Sequence, residues 1–450
     1  MRKPEPPPGQ TQLYERIKHN PKRLIAILSA ISGPLISGKY LHWDKLKRYE
    51  PPGGWSHHEW WYALKMHRQA LFELVPLCDK TGEPFKYLVT DPIPETLHAI
   101  DQTAGGVIQM SEMSRQITSR DTRDQYYVRS LIEEAITSSQ LEGATTTRRV
   151  AKEMLRTGRR PRDRSEQMIR NNFVTMQRIS ELKKCPLTKE LILEIHRLVT
   201  EQTLDDPSAA GRFRRADERV DVIPVVGDRF EVVHVPPQSV QLEQRMAAMC
   251  DFANAASGGA FIHPVVRSII LHFWLAYDHP FVDGNGRTAR ALFYWSMLHH
   301  DYWLFEFVSI SPILRKAPAE YSRAFLYTET DDNDLTYFII YHLGVIDRAI
   351  RDLHQYIDRT ARQLHEVEHE LKECMMLNHR QRALVSHALR HPHHRYTIAS
   401  HRVSHNVVYE TARTDLLDLR DRGLLDAGKD GRKWYFKPVS DLRDKLSSLS

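Results

Sequence analysis

Residues 264–290 have the sequence PVVRSIILHFWLAYDHPFVDGNGRTAR, in which an apolar segment leads directly into a short polar one. The apolar part, 264–278, is long enough for a buried helix at the centre of the molecule. The polar part, 279–290, combines a histidine, a carboxylate, a glycine-rich turn and two arginines. Taken singly, each is typical of a helix–turn–helix corner with exposed arginines, but their combination points to chemistry on phosphate.

The turn and the arginines have the properties of a phosphate-binding site. Gly284, Asn285 and Gly286 tolerate positive φ, so the turn can aim successive amide groups into one anion-binding concavity. A helix predicted from about Arg287 would add its positive end to this concavity. Arg287 and Arg290 are three residues apart, so they occupy neighbouring positions on that helix and suit multidentate contact with phosphate.

Two further side chains flank the turn. Asp283 lies directly before it, and a carboxylate beside phosphates is a natural anchor for Mg²⁺. His279 lies at the end of the apolar helix, and histidine suits general-base work on a hydroxyl because it titrates near neutrality. The run therefore predicts the transfer of a phosphorus group to a hydroxyl.

The run HPFVDGNGRTAR resembles the HxFx(D/E)GNGRxxR motif of the Fic-domain family and matches it at every defined position. The resemblance implies a mainly α fold with a small β-hairpin flap. It also implies transfer of AMP from ATP, with Mg²⁺, to a Ser, Thr or Tyr hydroxyl of a target protein or of the chain itself. By this resemblance His279 takes the hydroxyl proton, Asp283 holds Mg²⁺ and Arg290 engages the terminal phosphate. The implied phosphate cradle consists of Gly284, Asn285, Gly286 and Arg287.

Gly286 bears on which group is transferred. Family members that act as kinases of a translation factor carry a lysine at the matching position, so the glycine favours adenylylation. Transfer of phosphocholine stays open, and so does the reverse reaction that removes AMP from a modified protein. The segment 220–235, two β-rich arms around a Gly-Asp pair, predicts a hairpin that resembles the family's flap, and GRFRR at 211–215 resembles the lead-in to it.

A second motif precedes the catalytic one. Apolar residues at helical spacing predict a helix over 124–143, and these are Val128, Leu131, Ile132 and Ala135. Its end, SSQLEG, resembles the family's inhibitory motif (S/T)xxxE(G/N), with Ser138, Glu142 and Gly143 at the defined positions. The resemblance implies that Glu142 pairs with Arg290 and withdraws it from the γ-phosphate. The chain would then belong to the class with an N-terminal inhibitory helix.

Four domains are predicted along the chain. They are an N-terminal helical region at 1–120, a Fic catalytic domain at 121–350, a connecting helix at 351–375, and a winged helix-turn-helix at 376–440. The last is predicted from three helices, at about 378–390, 397–402 and 406–421, followed by a hairpin around Gly428–Gly431. Residues that could meet DNA phosphates are Arg402, His405, Arg413 and Lys433.

The third of these helices is acidic, which argues against a DNA groove reader. Its carboxylates are Glu410, Asp415, Asp418 and Asp421. DNA and a protein therefore both stay open as partners of this domain. An alternative function for the whole chain is a DNA-binding regulator that uses the Fic fold as a nucleotide sensor.

Composition sets broad limits on the chain. Its 450 residues are 41% hydrophobic and 27% charged, with a net charge of +6, as in ordinary soluble proteins. The four cysteines lie far apart, which argues against a zinc module or a disulfide scaffold and favours reduced thiols in the cytoplasm. The first ten residues are charged and proline-rich, unlike a secretory signal, and no membrane span is expected. An oligomer is possible.

Overall fold

A computed structural model describes residues 3–105, 120–218, 220, 232–255, 261–373, 377–391, 394–405, 407–430 and 433–448. The chain divides into two compact units, Met1–Leu353 and His354–Ser450. Helices dominate both units, which confirms the prediction of a mainly α fold. Most of the predicted flap at 220–235 lies outside the described residues.

In the described residues, the first half of unit 1 contains nine helices and strands. They are α1 Gln10–Ile17, α2 Pro21–Ala30, α3 Trp43–Leu46, α4 His57–Gln69, β1 Glu73–Cys78, β2 Pro84–Tyr87, α5 Ile93–Ala104, α6 Arg120–Leu141 and α7 Arg148–Thr157. The described residues that follow form further helices, the last of which extends past Leu353. They are α8 Arg164–Leu182, α9 Lys189–Thr200, α10 Leu242–Ala253, α11 Pro264–Asp278, α12 Asn285–His299, α13 Ser311–Lys316, α14 Pro318–Thr330 and α15 Thr336–Glu373. Four short 3₁₀ turns lie between these elements, at Pro52–Gly54, Pro207–Ala209, Ser239–Gln241 and Trp303–Glu306.

The prediction of a helical N-terminal region is confirmed, and the region also contains a strand pair that the sequence analysis did not predict. The strands β1 and β2 form an antiparallel hairpin in which Glu73 lies opposite Tyr87. The hairpin forms because Phe85 of β2 is fully buried against α11, with its ring centroid 5.2 Å from that of Phe273 and 5.0 Å from that of Tyr277. Tertiary packing of one aromatic side chain thus stabilises two short strands whose own pattern is weak.

The two helices around the polar motif form the centre of unit 1. Almost every residue of α11 and α12 is buried, as expected for helices that are apolar all round. They pack against each other, and the hydroxyl of Ser268 donates to that of Ser296 across the contact at 2.8 Å. The polar motif therefore lies on a rigid helical pair.

The helix α6, which carries the predicted inhibitory motif, packs against α8 and α13. Leu131, Ile132 and Ala135 are buried, as the spacing predicted. Val128 does not belong to the buried stripe, because 41% of its surface is exposed. The stripe therefore begins one turn later than the sequence indicated.

Buried ion pairs join the N-terminal residues to the segment before α15. The ammonium of Lys65 donates to Asp331 at 2.7 Å, and neither side chain is more than 2% exposed. Arg68, also buried, donates to the hydroxyl of Tyr337 at 2.8 Å. Removing one partner from such a pair leaves an uncompensated charge at a cost of about 3–5 kcal/mol, so these contacts fix the N-terminal region in place.

Unit 2 contains three helices, a hairpin and a final helix. The bounds are α16 His379–Arg390, α17 Ile398–His405, α18 Tyr409–Asp421, β3 Leu425–Asp430, β4 Lys433–Pro438 and α19 Leu442–Ser448. The strands are antiparallel, and the buried Phe436 of β4 lies opposite Ala427. This order matches the order of elements predicted for a winged helix, and that classification stays a prediction.

No helix in the described part of the chain combines the length and apolarity that a bilayer span requires. Cys78, Cys185 and Cys250 are free thiols.

Buried histidines are expected to make unit 1 sensitive to acid. Burial lowers the pKa of His42, His196 and His279 to about 4, and that of His342 to about 3. Unfolding returns these pKa values to about 6.5, so below that pH the unfolded chain binds more protons. The free energy of unfolding should therefore be highest above pH ~6.5 and fall by about 1–2 kcal/mol per histidine by pH 5.

Urea unfolding at several pH values measures this effect. Asp278 acts in the opposite direction, because burial raises its pKa to about 6. Its effect on the free energy of unfolding offsets the loss that is due to about one of the four histidines. An unfolding free energy that is the same at pH 7.5 and pH 5 would contradict the prediction.

Candidate functional site

His279 follows the last residue of α11 and has a left-handed backbone, with φ 46° and ψ 56°. This conformation is costly for a residue with a side chain and marks a position held by its surroundings. The Nδ1 atom lies 3.3 Å from the carbonyl oxygen of Ala276, which favours the tautomer with the proton on Nδ1. Burial lowers the pKa of His279 to about 4, so the ring is neutral at pH 7 with a lone pair on Nε2.

Arg214, from the GRFRR run, holds the chain around His279. Its Nε donates to the carbonyl of His279 at 2.9 Å, and its backbone N–H donates to the carbonyl of Pro280 at 2.9 Å. Its guanidinium also donates to the carbonyl of Pro237. The segment after the flap and the segment before it are thereby tied to the position of the histidine.

Side-chain contacts fix the loop between α11 and α12. The amide of Asn285 accepts from the N–H of Phe281 at 2.9 Å and donates to its carbonyl at 2.8 Å. The ring of Phe281 is buried and stacks on His196 with centroids 3.7 Å apart. The side chain of Asn285 therefore fixes the loop, and only its backbone can face an anion.

His196, on α9, is a supporting residue that the sequence did not reveal. Its Nδ1 accepts from the N–H of Gly211 at 3.0 Å, and its Nε2 donates to the carbonyl of Asp283 at 2.9 Å. Burial lowers its pKa to about 4, so it stays neutral with the proton on Nε2. A histidine on an apolar helix face gave no signal of this role, because the partner loops lie far away in sequence.

The glycine turn is narrower than predicted. Only Gly284 is left-handed, with φ 84°, while α12 already begins at Asn285 and not at about Arg287. A Cβ at Gly284 would lie 2.6 Å from the side chain of Thr200, so a larger residue is excluded by space as well as by conformation. The first amides of α12 are therefore the free donors of a helix N-terminus.

Arg287 is buried against the end of α9, and its Nη1 donates to the carbonyl of Val199 at 2.9 Å. Within the described residues its Nε and Nη2 have no hydrogen-bond partner, although Nη2 lies 3.7 Å from a carboxylate oxygen of Asp283. Burial lowers the pKa of Arg287. Unmet donors on a buried cation are costly, so the site is built to accept an anion.

Asp283 lies at the open side of this group. Its carboxylate accepts from the N–H of Gly284 at 2.5 Å, and 42% of its side chain remains exposed. The nearest outside cation is Arg164 of α8, whose Nη2 lies 3.5 Å from the carboxylate. One accessible carboxylate beside an anion site suits Mg²⁺, which keeps several waters and takes phosphate oxygens as further ligands.

Arg290, on the next turn of α12, faces α6. Its Nε donates to the hydroxyl of Ser138 at 2.8 Å, and its Nη2 donates to the Ser138 carbonyl at 3.0 Å and to Glu142 Oε1 at 2.9 Å. The arginine side chain is 2% exposed and that of Glu142 is 29% exposed. Burial is the largest single influence and opposes the positive charge of Arg290, but Glu142, Tyr321 and Glu134 together raise the pKa of Arg290.

The carboxylate of Glu142 also covers the start of α12. A Cβ added to Gly286 would collide with it, so Glu142 lies directly over this glycine. Gly143, with φ 91°, ends the helix immediately afterwards. The structure thus places Ser138 and Glu142 at the N-terminus of α12, where the sequence analysis expected phosphates.

Glu134, a buried residue one helical turn before Ser138, anchors α6 and was not foreseen. Its carboxylate accepts from the hydroxyls of Tyr294, Ser309 and Ser311 and from the backbone N–H of Ser311. Glu134, Ser138 and Glu142 are spaced by four, so they share one helix face. The sequence feature that could have indicated this role is the position of Glu134 within the apolar stripe of α6.

Residues 186–297 match the family model described as the Fic/DOC family. The chain is 37% identical over 106 residues to the protein adenylyltransferase Fic of Nematostella vectensis, which covers 24% of this chain and 22% of that protein. It is 36% identical over 113 residues to the protein of the same name from Drosophila willistoni, and that match covers 25% of this chain and 20% of that protein. The matched segment therefore spans about a fifth of these curated relatives.

A solved structure shares the fold over a longer range. A Fic family protein from Desulfovibrio desulfuricans G20 superposes with a TM-score of 0.52 and 19% identity, covering 79% of this chain and 98% of that chain. The likeness extends the shared helical architecture well beyond the matched segment.

Proposed function

Residues 186–297 form a Fic domain, and on that premise we propose that the chain is an autoinhibited protein adenylyltransferase. It moves AMP from ATP to the hydroxyl of a Ser, Thr or Tyr residue, either on a target protein or on itself, and acts in the cytoplasm. The observation that carries the proposal is the convergence of the His279 ring, the free amides of α12 and the unmet donors of Arg287.

The triphosphate of ATP is the anion proposed to bind the donors of α12 and Arg287. The first amides of α12 and the Nε and Nη2 atoms of Arg287 are oriented donors for phosphate oxygens. Gly286 leaves room for the phosphates because a side chain there would fill the same space. Oriented donors of this kind also stabilise the charge that develops during transfer.

His279 provides the base for the incoming hydroxyl. With its proton on Nδ1, the neutral ring accepts the hydroxyl proton at Nε2 as the oxygen attacks the α-phosphorus. A new oxygen–phosphorus bond forms, the bond between the α-phosphorus and the bridging oxygen breaks, and pyrophosphate leaves. Arg214 holds the backbone of His279, so the ring is positioned before a substrate arrives.

Asp283 fits the Mg²⁺ that accompanies ATP. Its exposed carboxylate lies beside the anion site, and in the described residues no three His, Cys, Asp or Glu side chains converge as an independent metal site. Bound Mg²⁺ would neutralise phosphate charge and favour departure of pyrophosphate. The contact of Asp283 with Arg164 has to open for the metal to bind.

Autoinhibition follows from the position of Glu142. Its carboxylate engages Arg290, the arginine proposed to grip the γ-phosphate, and places a negative charge over Gly286. A phosphate in the same place would meet like charge and would lack the arginine. The proposed inhibited state is therefore one in which ATP cannot adopt the geometry for transfer.

Intact-mass spectrometry tests the proposed activity. The purified chain is incubated with ATP and Mg²⁺, alone and with a cell extract, and peptide mapping locates any modified hydroxyl. Addition of one adenylyl group supports the proposal. A phosphate or phosphocholine mass would identify the other transfer reactions, and loss of AMP from a modified protein would identify the reverse reaction. Ligand-dependent behaviour without any added mass would favour the nucleotide-sensor alternative.

The pH profile of transfer should reflect the low pKa of His279. Because burial lowers this pKa to about 4, the neutral base is present throughout the range from pH 8 to 6. The rate, measured with a variant freed from Glu142, should change by less than about twofold over this range. A rate that falls about fourfold between pH 7.5 and 6 would indicate a base with an ordinary histidine pKa.

A further inference from the structure

We propose that unit 2 carries a binding surface for duplex DNA, formed by α17, α18 and the tip of the β3–β4 hairpin. The surface is independent of the proposed transfer chemistry. It rests on where positive charge lies along the chain, on which acidic groups of α18 are already neutralised, and on the side chains that remain exposed.

Positive charge is concentrated in the C-terminal part of unit 2, because the whole unit, His354–Ser450, has 17 Lys and Arg against 13 Asp and Glu, a net charge of +4. Residues 377–448 contain 14 Lys and Arg against eight Asp and Glu, a net charge of +6. The whole chain contains 63 Lys and Arg against 57 Asp and Glu, which is also a net charge of +6. The remainder of the chain is therefore neutral, and the entire excess belongs to a segment of about seventy residues. Such an excess is the electrostatic footprint of an anionic partner.

One of the four carboxylates of α18, which argued against DNA in the sequence, is internal. Asp415 is 3% exposed, and its carboxylate accepts from Arg380 at 2.7 and 3.0 Å and from Asn378 at 2.9 Å. Asp418 accepts from Gln381 at 2.7 Å and from Arg422 at 2.9 Å. Asp415 is thereby held against α16 inside unit 2, whereas 37% of the Asp418 side chain is exposed. The objection to DNA is therefore removed for Asp415 alone.

The outer face of α18 is accessible and carries both charges, because Glu410 and Asp421 are exposed on the same helix as Arg413. Tyr409, Arg413 and Thr414 are exposed, and Glu410 lies 3.5 Å from Arg413. The preceding helix α17 ends at His405, so three residues separate it from α18, as in a helix-turn-helix. At 13 residues, α18 is about 20 Å long and has a diameter that the DNA major groove admits.

The hairpin adds a cation and an aromatic ring at its tip. Lys429 lies directly opposite Trp434, and its Nζ is 4.7 Å from the centre of the indole ring. This pair is two residues beyond the Ala427–Phe436 pair and so shares its face, but Trp434 is 42% exposed where Phe436 is buried. Arg395 lies 4.6 Å from the ring centre of Tyr435, which is partly buried and on the opposite face of the strand. A cation held on an exposed ring, as Lys429 is on Trp434, suits phosphate and sugar contacts.

Duplex DNA fits these features better than an acidic protein does. DNA presents evenly spaced phosphates on both sides of a groove that is the width of a helix, and here a helix is flanked by cations on α17 and on the hairpin. Arg402 of α17 is exposed on the helix that precedes α18, where helix-turn-helix proteins contact the backbone.

Fluorescence anisotropy with the full chain and a labelled mixed-sequence duplex of about 30 base pairs tests the proposal. If three or more phosphates are contacted, affinity should fall at least about tenfold between 50 and 200 mM salt. Arg413→Glu and Lys429→Glu should each weaken binding by about fivefold or more. The matched control is Arg382→Glu, an exposed arginine on α16, which should change affinity by less than about twofold.

Circular dichroism of each variant checks that unit 2 stays folded. The two charge reversals lie on different elements, so the test can be made with either variant if the other fails to fold. Absence of binding at 50 mM salt, or binding that does not respond to salt, would overturn the proposal. It would also fail if Arg382→Glu weakened binding as much as Arg413→Glu. Tighter binding of poly-glutamate than of duplex would assign the surface to an acidic protein instead.

Discussion

Replacing Glu142 with glycine is expected to raise AMP transfer by about 10- to 100-fold at fixed ATP and Mg²⁺. Two effects combine. Arg290, whose Nη2 donates to Glu142 at 2.9 Å, becomes available to a phosphate, and the negative charge over Gly286 disappears. Pairs of this kind are worth about 3–5 kcal/mol when fully buried, and the 29% exposure of Glu142 reduces that value. Incorporation of label from α-labelled ATP measures the rate.

Three variants make this result specific to the contact. Glu142→Gln keeps the size of the side chain and removes its charge, so it should activate transfer less than glycine does. Ser138→Ala removes only the hydroxyl that accepts from Arg290 Nε and should have a smaller effect. Glu50→Gly alters an exposed glutamate elsewhere in the unit and should change nothing. Equal labelling of wild type and Glu142→Gly would remove the basis for autoinhibition.

His279→Ala, introduced together with Glu142→Gly, is expected to lower transfer by about 10²- to 10⁴-fold, the usual contribution of a general base. ATP affinity, measured by calorimetry, should change by less than about threefold, because the donors on Arg287 and α12 are separate from the ring. A loss of rate without a loss of binding separates a chemical role from a structural one.

His98→Ala in the same Glu142→Gly background is the matched control, because His98 is an exposed histidine on α5. It should leave both rate and affinity unchanged. If His279→Ala retained more than about a tenth of the rate, another group would have to accept the proton. If it lost ATP binding as well, the ring would be needed to build the site.

The sequence predicted a buried helix, a turn and a second helix at 264–299 because the residues that form them are adjacent along the chain. The apolar run 264–278 and the turn after it specify two buried helices and the loop between them. What supports the loop comes from elsewhere. His196 reaches the carbonyl of Asp283, and Arg214 reaches that of His279, across 87 and 65 residues of sequence. Such partners depend on tertiary packing, which a local pattern does not record.

The same reason explains two features that the sequence analysis did not predict. In α18 the sequence shows four carboxylates but not the Arg380 side chain that neutralises Asp415 from another helix. In the N-terminal region, the hairpin β1–β2 forms because Phe85 packs against α11, which follows nearly two hundred residues later. In both cases the local sequence does not show that the side chain, Asp415 or Phe85, packs against another helix.

The deep anchorage of α6 at Glu134 limits how an activating signal can act. Displacing the whole helix would break the four hydrogen bonds of that carboxylate in the core. Fraying only the final turn, between Ser139 and Gly143, would break the hydrogen bonds to the Ser139 and Gln140 carbonyls and release Glu142 from Arg290. Under the proposed autoinhibition, activation requires the unwinding of that one turn, and amide hydrogens near residue 141 should exchange with solvent long before those near residue 134 do.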